Sequence, residues 1–505
     1  MRQRQTTVTA IIVLLITLLP CCVKAANGVW NGCAEIRSCS MAMLLSSADD
    51  GSLQITYFGY LPANDVIDST LTKKFRPMSA LPTFGTDDLA QPMALQITHG
   101  DGQPTTNLQV TTYAISELER FVQHTFTMVD TLHWFEVRLH YKAYKHVPMI
   151  EAWTEYVNNS ATSLVLNRFD SAALPLPQSA AWLTHLHGSW ANECRLIEER
   201  LTDGIKTLFN TDGARNTQTT MPAVMITLND SLPAEDRGLT LAATLAWSGN
   251  YELRIASLEG RYHQFFAGIN PQASHYRLDS GATLVTPRLA FTLTNEGKGG
   301  ASRNFHQWAR DEKMLHRGNG TGDILLNSWE GVYFDVNQPT VKKMIKEASK
   351  MGCELFVVDD GWFGTTYRRD NSSALGDWNV DRQKLRDGLQ PLIDIAIKHG
   401  MKFGIWIEPE AVNTRSELFE KHPDWALQAK GIKPTMGRGE TQMLLDMTNP
   451  EVQRFVYSIV DRLLTDYPQI AYIKWDANVP LHNYGSAYLA ADKQQNLYVD
   501  YHKAL

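Results

Sequence analysis

Two rhythms of hydrophobic and polar positions run along this chain of 505 residues. From about residue 27 to residue 294 apolar and polar side chains alternate in short runs, at 53–60, 95–98, 135–144, 239–246 and 283–293. Turn pairs punctuate these runs: Asp101-Gly102, Asp203-Gly204, Asp212-Gly213 and Gly249-Asn250. A period of two between turn signals predicts half-buried strands, and many such strands with little helix predict a large β-sandwich. Gly297-Lys298-Gly299-Gly300 then reads as a loop, residues 303–315 as a linking helix and residues 316–322 as a glycine-rich boundary. Beyond it the rhythm changes. Strands are predicted at 324–334, 354–359, 402–407 and 470–475, and helices at 340–351, 389–399 and 450–465. The first helix places Val341, Met344, Ile345 and Ala348 at helical spacing. Strands alternating with helices predict parallel βα units, and continuously apolar strands predict burial on both faces.

The expected fold class is multidomain, β followed by α/β. Residues 1–26 read as a signal peptide, 27–300 as an N-terminal β-sandwich, 301–322 as linker helix and loop, and 323–505 as the first half of a (β/α)8 TIM-type barrel. A full barrel takes about 250 residues, more than this last segment supplies.

Composition narrows the function classes. Apolar residues make up 44% and charged residues 20%, as in globular proteins, and a net charge of −7 argues against nucleic acid as a partner. Thirteen tryptophans suit sugar stacking, although large aromatics also simply fill cores. Arg2 and Arg4, an apolar run at 10–19 and Val23-Lys24-Ala25 form the export signal, which implies a secreted or periplasmic protein. The run is too short for a membrane span. Cys21 offers a lipoprotein alternative, which Pro20 fits poorly. Export permits disulfides, and Cys33 with Cys39 is the locally plausible pair; Cys353 opens an apolar run and reads as a buried thiol. No Cys/His spacing suggests zinc.

The candidate chemistry gathers at strand ends. In a parallel barrel the C-terminal ends of the strands form the active face. That rim would collect Trp329 and Glu330; Asp359, Asp360 and Trp362; Trp406, Glu408 and Glu410; and Lys474, Trp475, Asp476 and Asn478. Carboxylates accept from sugar hydroxyls, tryptophan faces pack on pyranose rings, and a carboxylate near the anomeric carbon can attack it. Asp377 and Asp381 read instead as caps or salt-bridge partners. Asp359, Asp360 and Glu408 also resemble a hard-cation site, which Lys474 in the same rim opposes. No phosphate-cradling loop and no nucleophile elbow occurs, so no cofactor is implied. His482 and His502 read as surface or packing histidines.

Five segments in order resemble glycoside hydrolase family 36, the α-galactosidases. They are residues 355–364 (Leu-Phe-Val-Val-Asp-Asp-Gly-Trp-Phe-Gly), 376–378 (Gly-Asp-Trp), 404–413 (Gly-Ile-Trp-Ile-Glu-Pro-Glu-Ala-Val-Asn), 422–425 (His-Pro-Asp-Trp) and 472–478 (Tyr-Ile-Lys-Trp-Asp-Ala-Asn). The last, followed by Asn-Tyr-Gly-Ser at 483–486, is similar to the form in gut-dwelling Bacteroidetes. The resemblance implies a retaining exo-α-galactosidase with Asp476 as nucleophile. Lys474 and Asn478 would contact sugar hydroxyls, Asp359 and Asp360 would hold the 4- and 6-hydroxyls, and Arg438 would reach the sugar. Trp329 and Trp406 would form pocket walls, Trp475 stays a substrate-binding candidate from its place on the rim, and Trp190 would overhang the site from a sandwich loop. The family's acid/base follows a Ser-Gly-Gly-Gly-Arg segment. Neither that segment nor the acid's own Ser-Asp-x-Thr-Asp occurs here, so a truncated gene product is expected, or a chain completed by a second polypeptide. The alternatives are an α-N-acetylgalactosaminidase, a transgalactosylase of the same family, or an inactive fragment lacking the acid. The expected substrate is a galacto-oligosaccharide. A homotetramer is implied by resemblance, with Asp87-Asp88 in a loop that lines a neighbour's site.

Overall fold

The computed structural model describes residues 25–28, 30, 32–61, 66–73, 75–85, 92–176, 181–213, 219–229, 231–258, 262–314, 322–364, 368–481 and 483–505. The segment read as an export signal, up to residue 24, lies outside them, as do Asp87-Asp88, His482 and most of the glycine-rich boundary.

The alternating region folds into antiparallel sheets. An 11-stranded sheet and a 6-stranded sheet share one apolar core, and a 4-stranded sheet packs its buried face on the same core. The long strand Leu164–Leu176 carries the second sheet and is buried along most of its length. Its partners Tyr262–Ile269, Tyr276–Leu278 and Leu95–Thr98 pair with it in succession.

Helix α1 (Gly297–Trp308) starts inside the segment expected to be a loop. The neighbouring backbone overrides glycine's poor helix propensity here. Lys298 N and Gly299 N, orphan donors of the first turn, give their hydrogen bonds to Ala234 O and Glu235 O at 3.0 and 2.9 Å. Gly297 has φ +68°, and a Cβ there would stand 2.5 Å from Ala234 O, so only glycine allows this approach.

The remaining sheet has four parallel strands in chain order: β1 (Leu325–Asn327), β2 (Leu355–Val358), β3 (Lys402–Ile407) and β4 (Ile470–Trp475). Helices α2 (Gln338–Lys350), α3 (Gln390–Lys398) and α4 (Pro450–Asp466) follow the first three, and α5 (Leu497–Ala504) follows the last. This is the strand order of a (β/α)8-type barrel over four consecutive units. The helix starts are chemically marked. Asn337 accepts from Thr340 N, Asn449 accepts from Glu451 N, and a proline occupies the first turn of each helix. Val341, Ile345 and Ala348 then bury one face of α2, and Val452, Val456, Ile459 and Leu463 one face of α4.

Two expectations are corrected. The strand expected at 324–334 stops at Asn327, because the Asn327 side chain accepts from Trp329 N at 2.7 Å and turns the chain into the short helix Trp329–Val332. Cys33 and Cys39 are both free thiols. Cys33 begins the extended strand Cys33–Ser38 and Cys39 follows it, so at about 3.3 Å per residue they lie far beyond the ~7 Å a disulfide spans.

The sandwich and the βα region are tied directly. Asn496 bridges the backbone of Arg277 on both sides, at 2.8 and 3.0 Å, and Tyr276 donates to Asp500 at 3.0 Å. Tyr484 donates to Ala273 O. No helix among the described residues is long and apolar enough to cross a membrane, which says nothing of strands.

Candidate active site

Register decides which acids meet. Trp406 pairs with Lys474 and Ile407 with Trp475, so the residues just past β3 and β4, Glu408 and Asp476, sit at one level. Asp476 N donates to Ile407 O at 2.8 Å, which pins that level.

Asp476 is surrounded by donors. Trp406 Nε1 and Asn478 Nδ2 both give hydrogen bonds to its Oδ2, at 2.9 and 2.7 Å, and Ala477 N gives one to Oδ1 at 3.0 Å. Trp406 is itself locked. It is buried, its carbonyl accepts from Trp362 Nε1 at 2.9 Å, and its ring lies nearly parallel to Phe363.

Asp359, past the end of β2, accepts from Lys474 Nζ at 2.8 Å and from Asn327 Nδ2 at 2.5 Å. The acid is buried and the lysine partly exposed. Asp360 faces Arg368, whose Nε and Nη2 take its two oxygens at 2.6 and 2.8 Å. Arg368 is 1% exposed and lies over the rings of Phe334 and Phe363. Sequence reasoning missed it. It stands in a loop without periodicity, and nothing in its spacing from Asp360 marks it.

Glu408 has no such cation. Its Oε1 accepts from Asn478 N at 2.6 Å and its Oε2 from Gln442 Nε2 at 3.1 Å. Burial, with the like charges of Asp476 and Asp360 behind it, pushes its carboxyl up to about 7. Burial raises Glu410 as well. Glu410 ties two elements together, accepting from Trp475 Nε1 at 2.9 Å and from Tyr501 OH on α5 at 2.7 Å.

The structure does not bring together all the residues singled out from sequence. Trp475 takes the opposite face of β4 from Lys474 and Asp476, as adjacent strand residues must. It lines a groove of about 480 Å3 with Val456, Tyr457 and Leu505, and the acid it meets is Glu410, not Asp476. Trp190 sits at the tip of the hairpin Trp182–Ser189 and Asn192–Arg200 and is 72% exposed. Arg438 is exposed in the 3-10 turn Arg438–Glu440. Trp329 is half-buried, edge-on to Tyr333 and Phe334 beside β1. Asp377 acts structurally. It accepts from Glu417 N and Leu418 N, both at 3.1 Å, and so caps the helix Glu417–Lys421. Asp381 likewise accepts from Gln383 N and Lys384 N.

The residues do not favour a metal at the rim. Lys474 and Arg368 already stand where a cation would meet Asp359 and Asp360. In the sandwich, His99, Asp130 and His133 bring ligand atoms within 4.8 Å of one another. Both oxygens of Asp130 are occupied there, by Leu132 N, His133 N, Asn107 N and His133 Nδ1. The two imidazoles stack 3.7 Å apart at 8°, so their in-plane lone pairs run parallel and do not converge.

Acids, a lysine and a buried tryptophan at the ends of consecutive parallel strands, behind a large antiparallel sandwich, define a protein of the glycoside hydrolase class. The sequence profile of the Melibiase family matches residues 283–505, and that of the glycosyl hydrolase family 36 N-terminal domain matches residues 51–279. The chain belongs to glycosyl hydrolase family 36, the family of the α-galactosidases. The α-galactosidase AgaA of Geobacillus stearothermophilus is 31% identical over 433 residues, covering 82% of this chain and 58% of that protein. The α-galactosidase of Escherichia coli is 36% identical over 332 residues, 65% of this chain and 45% of that protein. The crystal structure of AgaA matches with a TM-score of 0.86 at 26% identity, covering 94% of this chain and 69% of the other. The chain spans about half the length of the curated relatives it matches.

Proposed function

We propose that this chain carries the sugar-binding and nucleophilic part of a retaining exo-α-galactosidase that acts on terminal α-galactosyl residues of oligosaccharides. One observation carries the reading. Asp476 is held by three donors at the mouth of the parallel sheet, beside the Asp359–Lys474 pair. A carboxylate so fixed can attack an anomeric carbon without first reorganising its surroundings. Asp359 and Asp360 accept from the 4- and 6-hydroxyls, Lys474 donates to a neighbouring hydroxyl, and Trp406 forms the floor. The attack makes a β-galactosyl ester on Asp476, which water then hydrolyses.

Retention needs a second carboxyl to protonate the departing oxygen, about 5–5.5 Å from the first. We assign that role to no residue of the described rim. The test therefore uses a leaving group that needs no proton. A 5-fluoro-α-D-galactosyl fluoride is expected to lose its anomeric fluoride and add one 5-fluorogalactosyl mass to the chain, mapped to the peptide containing Asp476 and absent from Asp476→Asn. A label on another residue, or one retained in Asp476→Asn, overturns the assignment. Repeating the assay with the 2-acetamido analogue reports whether the 2-position pocket admits N-acetylgalactosamine.

A further inference from the structure

We propose that Glu408 is a positioning residue for the nucleophile, and that its ionisation sets how fast Asp476 is galactosylated; this rests on reading Asp476 as the nucleophile. The geometry is a continuous chain of contacts. Glu408 Oε1 accepts from Asn478 N at 2.6 Å, and the carboxamide of the same Asn478 donates to Asp476 Oδ2 at 2.7 Å. The turn that presents the nucleophile is thus clamped from β3 by one buried acid.

The pocket around Glu408 suits both of its protonation states. Gln442, on the strand Gln442–Leu444, donates Nε2 to Glu408 Oε2 at 3.1 Å, while its own Oε1 is buried without a partner. Half a turn of that amide converts the contact into a hydrogen bond from a protonated Glu408 to Gln442 Oε1. The charged and titratable groups facing Glu408 are Asp476 after β4, Asp360 after β2 and, on α5, Tyr501. The nearby cations are engaged, Arg368 by Asp360 and Lys474 by Asp359. Glu408 therefore meets like charge without a counter-ion among its described contacts, consistent with its carboxyl being pushed up to about 7.

The consequence has a definite sign. Above that pH two carboxylates share the Asn478 turn, Glu408 buried and Asp476 partly exposed. When Asp476 bonds to the anomeric carbon and fluoride leaves with its electron pair, one of the two repelling charges disappears. An ionised Glu408 thus raises the free site more than the galactosyl-enzyme, and it attracts the positive charge that develops on the sugar. Glu408 neither gains nor loses a proton in the step.

The labelling rate of the full chain is therefore measured from about pH 5.5 to about pH 8.5, a range that brackets the transition. It is expected to rise roughly tenfold through pH 7, of the order that a neighbouring like charge contributes. Glu408→Gln should label the same Asp476 at the low-pH rate with no inflection. A merely structural role would change the amplitude and leave the inflection. An inflection retained in Glu408→Gln, or wild-type rates across the range, overturns the proposal.

A second measurement does not depend on labelling. The protonated-carboxyl infrared band that vanishes through pH 7 should be absent in Glu408→Gln, and in Asp476→Asn its transition should move to lower pH. A band that does not move in Asp476→Asn overturns the coupling. A band that moves while no label reaches Asp476 refutes the nucleophile reading and, with it, the rate effect.

Discussion

Arg368 closes on Asp360 with two nitrogens at once, Nε on Oδ1 at 2.6 Å and Nη2 on Oδ2 at 2.8 Å, and both side chains are buried. The same guanidinium donates to Ser373 O and Asn413 Oδ1, at 2.5 and 3.3 Å, so it also organises the loop that covers the rim. Breaking one side of a buried pair leaves a charge without a partner, which costs about 3–5 kcal/mol. Arg368→Met is expected to destabilise the chain by that order, read as the shift in urea midpoint at constant slope. Adding Asp360→Asn should recover part of the loss, because it removes the orphaned charge. A double variant no better than the single would show that Arg368 acts through the loop alone.

Lys474 is a different case, since its side chain is 37% exposed and solvent shares its charge. Lys474→Met is expected to leave global stability within about 1 kcal/mol, as for a partly screened pair. Its effect belongs on the ligand. Removing one charged donor to a sugar hydroxyl costs about 1.5–3 kcal/mol, or ten-fold and more in affinity. Calorimetric titration with a galactose-configured iminosugar checks the affinity, and the urea midpoint checks the stability.

Tyr501 anchors α5 through Glu410, whose other oxygen holds Trp475. Tyr501→Phe removes one donor from a buried acid and should cost about 1–3 kcal/mol. The loss should be local. Amides of α5 should exchange faster than those of α4, which keeps its own buried face. Uniform acceleration across both helices would contradict the local assignment.

Acid should loosen the same helix. His502 is buried against Trp247, donates Nδ1 to Tyr498 O at 2.6 Å, and is lowered by burial from 6.5 to about 4. The folded chain therefore resists a proton that the unfolded chain accepts. Stability is full above about 6.5 and is lost as pH falls toward 4, by at most about 3 kcal/mol from this group. His502→Phe should flatten the melting temperature against pH across that window. An unchanged slope would place the acid sensitivity elsewhere.

Much of the site was legible before any coordinates, for a local reason. Parallel βα units bury both faces of each strand, so charge is expelled to the strand ends, and Asp359, Asp360, Glu408 and Asp476 stand out after apolar runs. The helix starts at Asn337 and Asn449 are legible for the same reason, because a cap is a contact between near neighbours. What resisted reading depends on residues distant in sequence. Arg368 meets Asp360 only once the loop after β2 folds back over the rim. Gly297 enters a helix because backbone near residue 234 receives its first turn. Trp475 and Asp476 are adjacent in sequence, and only the pleat of β4 sends one to the groove and the other to the rim. The sequence alone thus determined which acids stand at the strand ends, through local period. The tertiary structure alone decided which acids receive a cation and which does not, because charge pairing is settled by through-space distance, which chain spacing does not encode.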